Sequence, residues 1–259
     1  MVRDLYPEVR AVFVDTGLEY PEVKEFVRAQ ENVTIIRPNR TYKEVIDRFG
    51  YPLISKMTAN CIATARRDPH STRAKYLTGE IPTKAFGYGN GRWWHMVTDA
   101  PFKTSGYCCE VMKKQPFHKF NKETGLVPFI ATLASESVTR RTNWFKEGCN
   151  SFKGKDSSSK PISFWTDQDI YRYLKEYNVP YCPLYGDIVE DEKGLLKTTG
   201  IERTGCIFCG FGAHLEKEPN RFQQLKKTHP KLWDYCMRPI EENGLGMREV
   251  LEFMKIPIE

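Results

Sequence analysis

The chain is 259 residues long, enough for one large or two small domains with a real core. Hydrophobic residues make up 40% and charged residues 28%, an ordinary globular balance, and no apolar run reaches the length of a membrane span. The net charge of +6 suits anionic ligands but is too mild to establish nucleic-acid binding.

No basic-then-apolar leader opens the sequence. Its eight cysteines are therefore expected in a reducing, cytoplasmic setting, where metal or redox use outweighs disulfides.

Residues 9–14 read as a buried strand closed by Asp15-Thr16-Gly17. Residues 19–28 read as a helix with Pro21 in its first turn, where a missing N–H costs least. A second strand at 32–37 and a second helix at 41–49 follow. This alternation predicts an α/β fold, a Rossmann-like parallel sheet flanked by helices. Ligands in such sheets bind beyond the carboxyl ends of strands. Asp15, Thr16, Gly17 and the nearby Glu19 are therefore candidate nucleotide contacts, although a simple turn with a helix cap accounts for the same residues.

Residues 51–105 read as an insertion beside the sheet. Arg66, Arg67, Arg73 and Lys75 are interleaved there with Tyr76, Trp93 and Trp94. Charge with aromatics suits a nucleotide or a single strand, and equally a solvated face over packing aromatics. Residues 110–114 predict a short helix ended by Pro116, and 129–133 a strand. Residues 134–141 then form a strand-to-helix turn. Ser135, Glu136 and Ser137 stand at its helix N-terminus, a place that offers donors to an anion, and Arg140 and Arg141 add forked charge for phosphate or sulfate. A capping box with surface arginines is the alternative. Thr166 caps a helix at 167–174, and 219–235 reads as one final helix.

The residues that carry most chemistry are cysteines. Ser105-Gly-Tyr-Cys108-Cys109 supplies a vicinal pair, and Arg203-Thr-Gly-Cys206-Ile-Phe-Cys209 a C-x-x-C. Four thiolates are what a cubane iron–sulfur cluster needs. A zinc site crowds four sulfurs onto one ion, which neighbouring, diverging side chains do poorly; on a cubane each cysteine takes its own iron. Four buried, reduced thiols are the third reading. Arg203, just before the C-x-x-C, is a further candidate for a nucleotide.

Phe13-Val-Asp-Thr-Gly-Leu-Glu-Tyr-Pro-Glu22, Ala134-Ser-Glu-Ser-Val-Thr-Arg-Arg141, Pro161-Ile-Ser-Phe-Trp165-Thr and Arg203-Thr-Gly-Cys206 together resemble the phosphoadenosine-phosphosulfate (PAPS) reductase family. That family shares the adenine-nucleotide α-hydrolase fold with the ATP pyrophosphatases, and the likeness runs through most of the chain. The cysteine pattern is similar to that of the adenylyl-sulfate (APS) reductase branch. The resemblance implies one reductase-like domain over 1–259, with a cluster-bearing C-terminal region at 198–259. It implies a 4Fe–4S cluster on Cys108, Cys109, Cys206 and Cys209, with zinc as the alternative. It also implies an adenine nucleotide or sulfonucleotide as ligand, a thiol donor such as thioredoxin, and self-association. In that chemistry a thiolate attacks the sulfonucleotide sulfur and releases the nucleotide.

Two departures stand out. The family's Ser-Gly-Gly-x-Asp-Ser phosphate loop lies upstream of the Asp-Thr-Gly strand, but here only about eight residues precede that strand. Gly154-Lys-Asp-Ser-Ser158 mimics the loop on paper, yet lacks the second glycine and a preceding strand, and reads as a polar loop. The reductases also end in a Glu-Cys-Gly segment, whereas no cysteine follows Cys236. These departures predict nucleotide binding that survives better than turnover. They leave two further readings open: ATP-pyrophosphatase-type sulfur insertion into nucleic acid, and a non-catalytic cluster-binding module.

Overall fold

Short apolar strands alternate with amphipathic helices through the first fifty residues, as the periodicity requires. The computed structural model describes residues 1–82, 91–152, 157–202 and 204–259. After one helical turn, α1 (Val2–Leu5), come β1 (Ala11–Val14), α2 (Pro21–Arg28), β2 (Val33–Ile36) and α3 (Tyr42–Phe49). β1 pairs with β2. The Ala11 N–H bonds Asn32 O and the Asp15 N–H bonds Ile36 O, a constant offset that marks parallel neighbours. Pro21 occupies the first turn of α2. Thr41 caps α3 through a reciprocal box, its hydroxyl accepting the Glu44 N–H while the Glu44 carboxylate accepts the Thr41 N–H.

Next in the chain are β3 (Leu53–Ile54), α4 (Lys56–Ala65), α5 (Thr72–Thr78) and α6 (His95–Thr98). A π turn at Glu110–Lys114 runs into α7 (Gln115–Thr124), and a 3₁₀ turn at Ala134–Glu136 precedes α8 (Val138–Glu147). Then follow β4 (Asn150–Ser151), β5 (Ser158–Ser159), α9 (Asp167–Glu176), β6 (Ile188–Glu190), β7 (Leu196–Thr198) and β8 (Gly210–Phe211). Three helices close the chain: α10 (Arg221–Thr228), α11 (Pro230–Met237) and α12 (Met247–Phe253). β3 pairs in parallel with β8, Leu53 opposite Gly210. β4–β5 and β6–β7 are antiparallel. The fold is α/β with parallel strand pairs among helices, and among the described residues the strands form pairs rather than one continuous sheet.

Three local expectations differ from the structure, each for a backbone reason. Pro116 does not end a helix at 110–114 but sits at the second position of α7. The wider π turn lies directly before it, where an α turn would press the proline ring against the preceding turn's carbonyl. Residues 219–235 are two helices, not one. Pro230 drives His229 out of the α region, to φ −135° and ψ 65°, so α10 stops and α11 restarts. Residues 129–133 make only a parallel bridge, Phe129 to Ser159, because the Thr132 N–H turns back onto Ile130 O.

The chain divides into two compact units. The first comprises Met1–Phe13, Tyr20–Thr34 and Phe117–Thr204, the second Val14–Glu19, Ile35–Pro116 and Gly205–Glu259. The second unit holds the larger core, with Leu53, Ile62, Met96, Met112, Phe222 and Leu251 fully buried. Much of the 51–105 segment lies in that core, as β3 and α4. The first unit buries Tyr20, Leu133, Ala134 and Cys182 but leaves Val138, Phe145 and Phe152 exposed. No helix among the described residues is long and apolar enough to cross a membrane.

Candidate functional site

The vicinal cysteines stand on a turn that glycine makes possible. A Cβ on Gly106 would lie 2.7 Å from Lys56 O and 2.8 Å from Asn60 Oδ1, so only glycine lets the turn approach α4 this closely. The Gly106 N–H donates to Asn60 Oδ1 at 2.9 Å and the Tyr107 N–H to Ser105 Oγ at 3.0 Å, which fixes the entry to Cys108 and Cys109. The second pair sits on another tight turn, closed by the Cys209 N–H on Cys206 O at 3.1 Å. That turn is tied to the segment after β1 by the Ile207 N–H on Leu18 O at 2.9 Å, and to α10 by Arg221 Nη1 on Cys209 O at 2.9 Å.

All four cysteines belong to the second unit. Cys108 is buried and the other three are half-buried. Their electrostatics show that the two segments, far apart in sequence, face one another. The Cys108 thiol, 4.0 Å from Cys109 Sγ, holds Cys109 down at about 6, helped by Lys56, Lys113 and Lys114. Cys108 is pushed up by the same contact and then by burial, with Cys209 and Cys206 adding to it. Burial raises Cys206, against the charge and hydrogen bond of Lys113. Burial also pushes Cys209 up to about 11, against a hydrogen bond from the Phe211 backbone. Loss of hydration lowers Lys113, but Cys206, Glu19 and Cys109 outweigh it and hold its ammonium above the ordinary lysine value. Tyr42 is pushed well up by burial first and then by Cys108, Cys209, Cys236 and Cys206. Among the described residues, no group of three or more His, Cys, Asp or Glu side chains closes on one ion-sized point.

The Asp15–Glu19 turn is part of the same unit. Gly17 takes φ +78° there. The Glu19 carboxylate accepts the Thr16 N–H at 3.0 Å and the Thr16 hydroxyl at 2.6 Å, while Asp15 pairs with Arg37 at 3.4 Å. Glu19 is therefore held by its own turn, with its charge close enough to act on Lys113 and Cys206.

Ser135, Glu136, Ser137, Arg140 and Arg141 belong to the first unit. Ser137 caps α8 by accepting the Arg140 N–H at 3.2 Å. Glu136 accepts the Leu133 N–H at 2.9 Å and pairs with Arg140. Arg140 is thus engaged within its own helix turn, and Arg141 is exposed. Arg203 and residues 154–156 of the polar loop lie outside the described residues. Cys236 is fully buried in α11, and Cys149 accepts from Ser163 Oγ at 3.3 Å. His95 stacks on Phe253 and His214 meets the Trp93 ring edge-on, so both pack among aromatics.

Lys113, Lys56, Tyr42 and Arg221 are the residues around the cysteines that sequence reasoning missed. Only Lys113 carried a legible signal, since a helix beginning at Cys109 places the residue four positions on along the same face.

The family profile of the phosphoadenosine phosphosulfate reductase domain matches residues 77–210, more than half of the chain, and the chain belongs to that family. An uncharacterized protein of Methanocaldococcus jannaschii is 24% identical over 238 residues, covering 90% of this chain and 36% of its own length. An adenosine 5′-phosphosulfate reductase of Lysinibacillus sphaericus is 33% identical over 79 residues, 30% of this chain and 32% of that enzyme. The chain thus spans about a third of the length of these curated relatives.

Proposed function

We propose that this member of the phosphoadenosine phosphosulfate reductase family binds an adenine nucleotide or sulfonucleotide and carries a four-iron cluster on Cys108, Cys109, Cys206 and Cys209. The observation that carries the reading is that four thiols from two distant segments belong to one unit and act on one another, with Lys113 acting on a thiol of each segment. The donor set fits the group. Four thiolates and a cluster are together anionic, and Lys56, Lys113, Lys114 and Arg221 place positive charge around them. The Phe211 N–H toward Cys209 is the kind of backbone donor that tunes a cluster's potential. A vicinal pair diverges, which suits separate irons better than one zinc ion.

A cluster held there supplies a charged body beside the substrate, acting through electrostatics and orientation. The chain's own residues do the rest. The charge of Lys113 acts on Cys206 and brings a cation to the thiol group. The Thr16–Glu19 turn fixes a carboxylate near that lysine. Asp15 and its turn stand at the end of β1, where ligands of α/β folds collect. In this reading the attacking thiol comes from a dithiol partner of the thioredoxin kind. Its thiolate bonds to the sulfonucleotide sulfur and expels the nucleotide. The partner's second thiol then releases sulfite and leaves a disulfide.

Protein purified without oxygen is expected to be brown and to hold about four irons per chain, and Cys206→Ser to lose both colour and iron. One tightly held zinc with no iron would overturn the cluster.

A further inference from the structure

We propose that a second, arginine-lined cavity of this chain binds the phosphate of a nucleotide. The cavity measures about 720 Å³ and lies between the end of α3, α4, α5 and the 103–107 segment, all within the second unit. A mononucleotide fits a space of that size. Of its twelve described lining residues five are basic, namely Arg48, Arg66, Arg67, Arg73 and Lys103, and none of the twelve is acidic. Cations gathered without a carboxylate repel one another, and an anion seated among them removes that repulsion.

The hydrogen bonds show which of these groups serve the fold and which face outward. Arg66 is committed: its guanidinium makes four bonds, to the carbonyls of Met96, Ala100 and Phe102. It is a fixed charge in the wall. Lys103 reaches Asp47 O at 3.2 Å. Among the described residues, Arg67 places only Nε on Ala63 O at 3.3 Å, and Arg73 only Nη1 on Thr64 Oγ1 at 3.2 Å. Both are exposed, and the rest of each fork bonds no described residue and can make a planar, bidentate contact with a phosphate.

A second feature points to a ligand independently of charge. Thr104 lines the cavity, is 1% exposed, and its hydroxyl has no hydrogen-bond partner among the described residues. A buried hydroxyl left unpaired is costly, and a phosphate oxygen would satisfy it. Two rings complete the wall. Phe49 and Tyr107 pack with centroids 4.9 Å apart, Arg48 lies over the Phe49 ring at 5.4 Å, and Tyr107 is 45% exposed. Such a pair offers a base a surface to stack on. Phosphate donors, an orphaned hydroxyl and a ring surface together describe a nucleotide, free or as part of a strand.

This site does not rest on the cluster or on the adenine-nucleotide reading, and thymine probes keep its test separate from the latter. The full chain is titrated calorimetrically with thymidine 5′-monophosphate, a short 5′-phosphorylated oligothymidylate, and thymidine. At least one phosphorylated probe is expected to bind, and thymidine to bind about tenfold more weakly or worse. The double variant Arg67→Ala/Arg73→Ala is expected to weaken the phosphorylated probe by about tenfold or more. Thr104→Val, which keeps the shape and removes the hydroxyl, weakens it several-fold without lowering the stability of the ligand-free protein. Equal affinity for monophosphate and oligonucleotide identifies a free nucleotide, and clear preference for the oligonucleotide identifies a strand. The proposal is overturned if neither phosphorylated probe binds the wild-type chain. It is overturned too if a folded double variant and Thr104→Val both bind like the wild type.

Discussion

Arg66→Ala tests how the second unit holds the approach to its cysteines. The Arg66 fork spans three carbonyls with bonds of 2.6–3.1 Å, to Met96, Ala100 and Phe102. These carbonyls belong to the stretch that runs into the Tyr51–Thr104 bridge and then to Cys108. Hydrogen bonds to a charged group contribute about 1.5–3 kcal/mol each, but the four bonds share one side chain and the site is only half-buried, so water restores part of the loss. A net local cost of about 2–4 kcal/mol follows, a factor of roughly 30–1,000 in local opening. Amide exchange reads it directly. The Tyr51 N–H on Lys103 O and the Ser105 N–H on Tyr51 O should lose protection by that factor. Arg66→Lys keeps the charge, but one ammonium cannot reach three carbonyls, so it should recover less than half of the loss. If Arg66→Lys restored full protection, charge rather than fork geometry would be what matters. If Arg66→Ala changed protection less than about threefold, the carbonyls would not depend on this side chain at all.

What the sequence made legible was mostly local and chemical. Thr41 and Thr166 announce helix starts because a hydroxyl can take only a nearby amide, and both caps form with the acid three residues on. The Asp-Thr-Gly end of β1 was readable for the same reason, since Gly17 supplies the positive φ that the turn requires. Proline was misread at 116 and 230 because its effect depends on the turn before it. A π turn accommodates Pro116, whereas Pro230 starts a new helix after displacing His229. β3 escaped notice because two residues carry no period, and its pairing with β8 joins segments about 150 residues apart. The cysteine spacing announced thiol chemistry, but the charge around it did not show. Lys56, Tyr42 and Arg221 reach the thiols through packing between segments that no sequence spacing relates. The arginines at 66, 67 and 73 looked like one basic face, and only the hydrogen bonds separate a wall residue from two outward forks.

Two further perturbations probe the frame. Glu44 and Asp169 are held below the usual carboxylate range, first by the backbone N–H groups of Thr41 and Thr166. A carboxylate whose pKa is depressed on folding stabilises the protein above its unfolded pKa and stops doing so as pH falls through its folded pKa. The melting temperature should therefore hold above about pH 5 and decline below about pH 4, with Glu44→Gln and Asp169→Asn each flattening that decline. An unchanged acid limb in both variants would assign it to other groups. Gly210→Ala probes the strand beside Cys209. A Cβ there would lie 2.7 Å from Leu53 Cδ2 and 2.8 Å from Pro52 O. The leucine is fully buried and the proline carbonyl is backbone, so neither can withdraw freely, and β3 and β8 must separate. Overpacking of this kind costs about 1–3 kcal/mol, read as a lower urea midpoint. The same movement displaces Cys209, whose own carbonyl is held by Arg221. Retention of the iron of the proposed cluster should therefore fall by more than in a control of equal stability loss placed in α12, such as Val250→Ala. Equal retention in the two variants would show that the β3–β8 pairing supports the fold without positioning the thiol.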